Sequence, residues 1–286
     1  MRILTLLSDF GSGSSYPAAM KAVVAARVDA LMIDISHDLP RHDVRAGAFL
    51  LAAVAPVCPA GTVHLAVVDP GVGTARRPLV VASGGQYFVG PDNGLLLAAA
   101  RRVGTLQAYH LDPRIGLPAV SATFQGRDLF APAAARLLLG EPPGRLGRPI
   151  ADPVALDLPR GGRRGALLHG EVLYIDPFGN VVTSIPAEAA PHGAQFRLTG
   201  PGRTPRIPLL HLRATYAEGA FDELLLVPGS EGLLEIAVRE GNAAARTGLD
   251  RGAPVRLQIV PAAPRRRSAA PSPPRSGRGR TRGRMP

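Results

Sequence analysis

Runs of apolar residues alternate with amphipathic segments through the first half of the chain, and this alternation predicts an α/β fold. Short continuous apolar runs indicate buried strands, whereas apolar residues that recur every three or four positions indicate helices. The predicted strands are 2–10, 30–36 and 62–69, and the predicted helices are 15–28, 42–57 and 128–140. Strands that are apolar on both faces and separated by helices are typical of parallel pairing. We therefore predict an α/β domain with much parallel strand pairing over residues 1–150.

Single residues mark the ends of several predicted elements. The Gly84–Gly85 pair predicts the tight turn of a β-hairpin over residues 79–90, since glycine accepts the positive φ that such turns require. Asp43 is placed to cap the helix that follows it. Asp128 and Gly140 are predicted to begin and end the helix that lies between them.

The composition changes at residues 141–165, where proline, glycine and arginine are abundant, and we interpret this segment as a connector. Beyond it the pattern consists of short strands and turns. This pattern predicts a smaller all-β barrel or sandwich domain over residues 166–260. Residues 261–286 hold eight arginines and no acidic residue, and their low apolar content predicts a disordered basic tail.

The formal net charge of +11 suggests a nucleic-acid partner until its distribution is considered. Eight of these charges belong to the tail, so the rest of the chain keeps only +3 of the +11. We therefore expect no nucleic-acid partner beyond a weak, salt-dependent attraction of the tail to anionic polymers. A nucleic-acid-binding protein is an alternative that rests on the tail alone.

Cysteine content and hydropathy limit the classes of protein further. The single cysteine, Cys58, excludes an internal disulfide and a cysteine-rich metal site. No apolar run approaches the roughly 18–20 residues that span a bilayer, and the first run is too short for a signal peptide. We expect a cytoplasmic protein with no membrane partner. His37 and His42 could pair as metal ligands, but no third ligand has a convincing spacing, so no metal is expected.

The stretch HLAVVDPGVGTARRPLVV, residues 64–81, places charged residues beside an apolar strand. Gly71 and Gly73 have the first spacing of a dinucleotide-binding loop, but Arg76 stands where the third glycine belongs, and the ending of a P-loop is missing. Asp69 instead follows the strand, where open α/β sheets bind ligands, and the Pro-Gly-Val-Gly turn returns Arg76 toward it. Such a pair can fix a small polar molecule, or it can simply stabilise the turn.

Similar polar clusters stand at the ends of other predicted elements, namely 8–16, 88–96, 121–132, 174–185 and 228–244. Carboxylates, amides and glycines at strand ends indicate a site for a ligand with several polar groups. Aromatic residues are sparse, and Phe10, Tyr16, Phe124 and Phe178 are the candidates to stack on a ring of that ligand.

Several of these stretches, taken in order, resemble the signatures of one family. They are LLSDFG, IDISHDLP, GTVHLAVVDPGVGTARR, FVGPDNGLL, TFQGRDLFAP, IDPFGNVVTSI and SEGLLEIAVREGNAA. Over about residues 2–260 the chain is similar to the S-adenosyl-L-methionine (SAM) hydroxide adenosyltransferases, which are adenosine-forming SAM hydrolases related to fluorinases and chlorinases.

This resemblance implies a Rossmann-like N-terminal domain, a β-barrel-like C-terminal domain and a homotrimer. The active sites would lie between the N-terminal domain of one subunit and the C-terminal domain of its neighbour. The implied reaction is hydrolysis of SAM to adenosine and L-methionine, in which water or hydroxide attacks C5′ of the ribose opposite the sulfur. SAM is then the substrate, and no cofactor is implied.

The resemblance also implies roles for individual residues. Asp9 matches the carboxylate that holds the ribose hydroxyls, and two acceptor oxygens suit a vicinal diol. Asp69 and Arg76 match two members of an Asp–Arg–His set around the attacking water. Asn180 matches the residue that reads the adenine edge, where an amide can both donate and accept.

The remaining implied contacts surround the substrate. Asp176 and Ser230 match positions that hold the amino and carboxylate ends of methionine, and Glu231 lies beside Ser230, where it could also face the ligand. Phe124 and Phe178 complete the predicted substrate-binding set as stacking candidates.

Gln125 stands where the family has the histidine of the water-binding set, and near Ser15 an aspartate of the family is missing. Glutamine can hydrogen-bond a water, but it carries no positive charge and shuttles no proton. We expect an enzyme that uses Asp69, Arg76 and Gln125. The alternative is a protein that binds SAM or adenosine with weak or no turnover. Halogenation is not expected, because Asp69 would repel a halide where the halogenases have an uncharged aromatic side chain.

Overall fold

Two β-sheets form the framework of the protein in a computed structural model, which describes residues 1–118, 121–199 and 207–260. The predicted basic tail, residues 261–286, lies outside the described residues. The architecture is mixed α/β, with short helices packed around the first sheet and a second sheet that is nearly closed into a barrel.

The first sheet has seven strands in the order β2-β1-β3-β5-β4-β6-β7. These strands are β1 (Ile3–Ser8), β2 (Leu31–Ser36), β3 (Val63–Val67), β4 (Pro78–Ser83), β5 (Gln86–Pro91), β6 (Leu106–Leu111) and β7 (Gly147–Ile150). The pairs β1–β2, β1–β3 and β3–β5 are parallel, whereas β4, β6 and β7 extend the sheet by antiparallel pairing. The predicted parallel pairing is therefore confirmed for one half of this sheet.

Helices cover both faces of the first sheet, which is why its strands are apolar on both sides. The helices are α1 (Tyr16–Ala25), α2 (Val44–Val54), α3 (Leu97–Val103), α4 (Ala131–Leu138) and α5 (Pro143–Leu146). Leu4 and Leu6 of β1 belong to a core that also contains residues of α1 and α4. Leu7 points to the opposite face and belongs to a core that contains residues of α2 and α3.

The structure confirms most of the predicted element ends in this half. Gly84 and Gly85 join β4 to β5 with φ values of 55° and 76°, and Asp43 caps α2 by accepting from the Ala46 amide at 2.9 Å. The predicted capping role of Asp128 is wrong. A π-helical turn, Gly126–Phe130, precedes α4 and contains Asp128, whose buried carboxylate accepts from the Ser121 amide at 2.7 Å.

The second half of the chain contains the remaining strands, which form the second sheet, and one short helix. They are β8 (Gly162–Arg164), β9 (Leu167–Ile175), β10 (Val181–Pro186), β11 (Gln195–Thr199), β12 (Leu210–His211), β13 (Leu224–Pro228), β14 (Leu233–Val238), β15 (Pro254–Val260) and α6 (Ala243–Thr247). The strand order is β12-β11-β15-β9-β10-β14-β13, and a bridge between Leu212 and Leu226 brings the two ends of this path together. The predicted connector over 141–165 contributes β7 to the first sheet and β8 to the second.

Contacts from α2 join the two halves of the chain. Arg45 lies 3.1 Å from Glu171 of β9, and Arg251 pairs with Asp43 at 3.0 Å. The ring centroids of Phe49 in α2 and Tyr174 in β9 are 6.2 Å apart. These contacts hold the second sheet against α2. None of the helices in the described part of the chain combines the length and apolar character that crossing a bilayer requires.

Candidate active site

A cleft of about 350 Å³ opens where β1 and β3 end. It is lined by Asp9, Phe10, Tyr16, Arg41, His42, Val67, Asp69, Val72, Thr123, Phe124, Gln125 and Gly126. The carboxyl ends of neighbouring parallel strands meet at one edge of a sheet, which is where open α/β sheets bind ligands. Two of the polar clusters noted in the sequence, 8–16 and 121–132, meet here beside Asp69, whereas 88–96, 174–185 and 228–244 contribute no residue to the lining of this cleft.

Asp69, which lines the cleft, forms a nearly buried ion pair with Arg76. Their side chains are 5% and 10% exposed, respectively. Nε of Arg76 donates to both oxygens of Asp69 at 3.0 Å, and Nη2 donates to one of them. The turn between them needs small residues, because Gly73 has a φ of 79° and a Cβ on Gly71 would lie 3.1 Å from Cγ of Arg76.

Gln125 completes this group, although it lies 49 residues from Arg76 in the chain. Nη2 of Arg76 donates to Oε1 of Gln125 at 2.8 Å, so the amide oxygen is committed and the amide NH₂ is left to meet a ligand. Nη1 of Arg76 is buried and has no hydrogen-bond partner within the described residues. A buried donor without a partner is costly, so this atom indicates a place for a water or a ligand oxygen.

Asp9 lies on the opposite wall of the cleft, directly after β1. Its Oδ2 accepts a hydrogen bond from the His42 amide at 2.8 Å. His42 has a φ of 63°, an unusual conformation for a residue with a side chain, and its amide is thereby aimed at Asp9. The other carboxylate oxygen of Asp9 stays available to a ligand.

Three aromatic rings form the apolar wall. The ring centroids of Phe10 and Tyr16 are 5.5 Å apart, those of Phe10 and Phe124 6.0 Å, and those of Tyr16 and Phe124 4.9 Å. The guanidinium of Arg127 lies 4.9 Å from the centre of the Phe124 ring and supports it from behind the cluster. The wall can therefore pack against an apolar or ring-shaped part of a ligand.

Asp176, Phe178 and Asn180 lie together in the turn between β9 and β10 of the second sheet. Oδ1 of Asp176 accepts from the amides of Phe178 and Asn180 at 2.9 and 2.8 Å, and Oδ2 accepts from Nδ2 of Asn180 at 2.9 Å. Phe178 and Asn180 line a second pocket, of about 690 Å³, together with Tyr216. The Phe178 side chain is 78% exposed.

A pair that sequence reasoning missed stands beside this second pocket. The Tyr216 hydroxyl donates to Oε2 of Glu235 at 2.6 Å. Burial, reinforced by the charge of Asp176, holds the pKa of Glu235 above its usual range, and burial also raises the pKa of Tyr216. The signal for Glu235 was present, since it is a lone carboxylate inside the apolar run LLEIAV.

Ser230 and Glu231 occupy the turn between β13 and β14, and among the described residues they line neither the cleft nor the second pocket. Glu231 accepts from Nη1 of Arg102 at 3.1 Å and so joins the second sheet to α3. Within residues 1–118, 121–199 and 207–260, no group of three His, Cys, Asp or Glu side chains could hold a metal ion.

Fold and cleft together define a mixed α/β protein with two sheets, whose candidate ligand site combines an aspartate–arginine pair, an amide and an aromatic wall at the ends of parallel strands. The chain belongs to the SAM hydroxide adenosyltransferase family. The model of the family's N-terminal domain matches residues 4–147, and that of its C-terminal domain matches residues 170–256.

Individual relatives agree with this assignment. The chain is 43% identical over 266 residues to the (R)-S-adenosyl-L-methionine hydrolase of Thermus thermophilus, with 90% of this chain and 100% of the relative covered. It is 41% identical to the hydrolase of the same name from Salinispora tropica, with 89% and 97% covered. The fluorinase of an Actinoplanes species is 27% identical, with 64% and 71% covered.

A solved structure shares the fold along the whole length of its chain. This structure, of an uncharacterised conserved protein from Thermotoga maritima, superposes with a TM-score of 0.82 at 32% identity. The match covers 89% of this chain and 99% of that one. The fold is therefore shared with a protein whose sequence differs at most positions.

Proposed function

We propose that this protein is an enzyme that hydrolyses (R)-S-adenosyl-L-methionine to adenosine and L-methionine. Relatives with 40–43% identity over most of the chain carry the name of that hydrolase. The structural observation that carries the proposal is the Asp69–Arg76–Gln125 group, in which Nη1 of Arg76 lacks a partner within the described residues.

That group can hold and activate one water. Nη1 of Arg76 and the amide NH₂ of Gln125 can donate to the water oxygen, while Asp69 can accept a proton from it. The oxygen forms a bond to C5′ as the C5′–S bond breaks, and the bonding electrons leave with sulfur. The products are adenosine, neutral L-methionine thioether and one proton. Because the leaving group is neutral, no general acid is needed, and positioning supplies much of the acceleration.

The walls of the cleft suit the rest of the nucleoside. Asp9 presents a carboxylate oxygen to the ribose hydroxyls, and Phe124 packs beside the sugar and the sulfonium. In this proposal Asn180 reads the adenine edge against the ring of Phe178. Asp176, Ser230 and Glu231 stand where the family resemblance implies contacts to the methionine end.

The proposal includes a homotrimer with each active site between two subunits, built on a Rossmann-like N-terminal domain. Every residue that lines the cleft precedes Arg127, whereas Phe178 and Asn180 line a separate pocket on the second sheet of the same chain. A neighbouring subunit that brings its second pocket over the cleft would unite the two sets. The exposure of Phe178 and Tyr216 supports this arrangement, since both would be covered.

Two further expectations accompany the proposal. We propose a cytoplasmic location, which the lone cysteine supports, and a reaction in which SAM is substrate and no cofactor takes part. Halide transfer is disfavoured, because the buried carboxylate of Asp69 would repel a halide at the position of the attacking water.

Turnover of SAM tests the proposed function directly. The full chain is incubated with SAM of each configuration at sulfur, with and without chloride, and adenosine, methionine and chlorodeoxyadenosine are separated by chromatography. We expect adenosine and methionine in equal amounts from the (R) form, with no chlorinated product. Tight binding of SAM without any product would refute hydrolysis and favour the SAM-binding protein. The absence of both turnover and binding would refute both hypotheses.

A further inference from the structure

The loop that follows β1 carries Asp9, and the loop that follows β2 contacts it at several points. The Gly11 amide donates to the His37 carbonyl at 2.7 Å, and the Ser12 amide donates to Oδ1 of Asp38 at 2.7 Å. Further along, the His42 amide donates to Asp9 itself. The conformation of the Asp9 loop therefore depends on its neighbour.

His37 makes the most buried of these contacts. Its Nδ1 lies 2.7 Å from Oγ of Ser8, and its Nε2 lies 3.1 Å from Oδ1 of Asp34. Lys21 donates to the other oxygen of Asp34 at 2.6 Å. Ser8 is 0% exposed and His37 is 5% exposed, so neither side chain can exchange its partner for bulk water.

The hydrogen bonds that link Ser8, His37 and Asp34 have one consistent assignment of donors and acceptors for a neutral imidazole. The Asp34 carboxylate can only accept, so Nε2 of His37 carries the hydrogen and Nδ1 is an acceptor. The Ser8 hydroxyl then donates to Nδ1, and its oxygen accepts from the Phe10 amide at 3.4 Å. The side chain of His37 thus fixes the backbone on both sides of Asp9.

A nucleophilic role for this Ser–His–Asp series is excluded by burial. A serine nucleophile must present its oxygen to a substrate, but Ser8 is fully enclosed below the cleft and is absent from the residues that line it. The series has the order of a catalytic triad, yet it ends inside the protein. These hydrogen bonds can therefore affect only the conformation of Asp9, the residue next to Ser8.

We propose that His37 is a positioning residue that holds Asp9 in register for the ribose diol, an inference that rests on the proposed function. Gly11, two residues after Asp9, has a φ of 83°, so the free loop has many alternative conformations. Holding the carboxylate in its binding geometry before the ligand arrives removes an ordering cost from binding. The His37 contact therefore contributes affinity only for ligands that have hydroxyls for Asp9 to hold.

The two ring nitrogens of His37 allow a matched pair of variants. The amide of asparagine reaches about as far as Nδ1, whereas the amide of glutamine reaches about as far as Nε2. His37→Asn can keep the Ser8 contact, and His37→Gln can keep only the Asp34 contact. Adenosine and 2′,3′-dideoxyadenosine are then titrated into the full chain by calorimetry.

We expect His37→Gln to weaken adenosine binding about tenfold, because one hydrogen bond that organises a charged group is lost. Binding of 2′,3′-dideoxyadenosine should be unchanged in this variant. His37→Asn should retain most of the wild-type affinity for adenosine. In SAM turnover, His37→Gln should raise KM and leave kcat within about twofold. Ser8→Ala removes the other partner of the Ser8–His37 hydrogen bond and should weaken adenosine binding in the same selective way.

Each other result has a distinct meaning. Equal weakening of both nucleosides, or no difference between the asparagine and glutamine variants, would overturn the positioning role and leave the proposed function standing. A wild-type chain that binds adenosine no better than the dideoxynucleoside would refute the role of Asp9 and this inference with it. A wild-type chain that binds neither nucleoside and does not turn over SAM would instead refute the proposed function.

Discussion

Arg76 binds Asp69 through two of its nitrogens and leaves a third, Nη1, buried without a partner among the described residues. The guanidinium is held in one orientation by that bidentate contact and by the Phe130 ring, whose centre is 5.3 Å away. The free donor is consequently fixed in direction rather than mobile. A water bound to it would approach the substrate from one defined side.

Replacing Arg76 by lysine should remove most of the activity, because a lysine ammonium cannot hold Asp69 bidentately and still reach Gln125. We expect kcat for SAM hydrolysis to fall by about 100-fold or more. Arg77→Lys is the matched control, since Arg77 pairs with Asp92 and Asp152 outside the cleft. Similar losses in the two variants would show that the effect is not specific to the site.

Gln125 should act as a fixed donor with no protonation change of its own. Gln125→Leu removes this donor and should lower kcat by about 100-fold. Gln125→His should be active at pH 8, where neutral imidazole can accept from Arg76, and should lose activity as the pH falls through about 6.5. A protonated imidazole has no acceptor for Arg76 and repels it.

The pH profile of kcat/KM for these three proteins provides the measurement. The wild-type profile should lack the inflection that the histidine variant acquires. An equal inflection near pH 6.5 in the wild type and in Gln125→His would show that another group sets the pH dependence.

Mixing of subunits tests whether each site is shared between two chains. Asp69→Asn damages the cleft and Asn180→Ala damages the second pocket, so each variant alone should be nearly inactive at low SAM concentration. In a co-expressed one-to-one mixture, about a quarter of the interfaces should unite two undamaged halves in a cyclic trimer. Recovery to about a quarter of wild-type kcat/KM is expected, whereas sites contained within single chains would give only the average of the two variants.

His64 makes the folded protein sensitive to acid. The ring is fully buried, stacks on Phe88 at 4.6 Å, and lies between Oγ1 of Thr5 at 2.7 Å and Oε1 of Gln86 at 2.9 Å. Burial lowers the pKa of His64 to about 4. The unfolded chain, with an ordinary histidine pKa of about 6.5, takes up this proton first as the pH falls, so stability is lost below pH 6.5 and continues to fall until about pH 4.

Urea unfolding at pH 7 and pH 5 measures this effect. His64 should account for about 2 kcal/mol of the decrease in unfolding free energy between those two values. His64→Asn should be less stable than the wild type at pH 7, because Gln86 loses the partner that Nε2 of His64 provided, yet its stability should fall less on acidification. An identical decrease in both proteins would contradict a buried, neutral His64.

Much of the framework could be predicted because its signals are local. The apolar runs at β1 and β3, the Gly84–Gly85 turn and the Asp43 cap each depend on residues within a few positions of one another. A cap or a tight turn is decided by the backbone conformation of its own residues, so the sequence contains all the information that it needs. Asp128 departs from this rule because its carboxylate accepts from the amide of Ser121, in the preceding loop, instead of capping the helix.

What the sequence by itself determined was the position of β1, β2, β3 and the β4–β5 hairpin and the polar residues at their ends, whereas β6 and β7 of the first sheet were not predicted. Only the tertiary structure decided which of those ends meet. It brings Gln125 to Arg76, encloses His37 against Ser8, aims Tyr216 at Glu235, and turns Glu231 to Arg102 instead of to the cleft. Contacts between residues so far apart depend on how whole elements pack, because one strand end can face several partners until the cores on both sides of the sheet select a single arrangement.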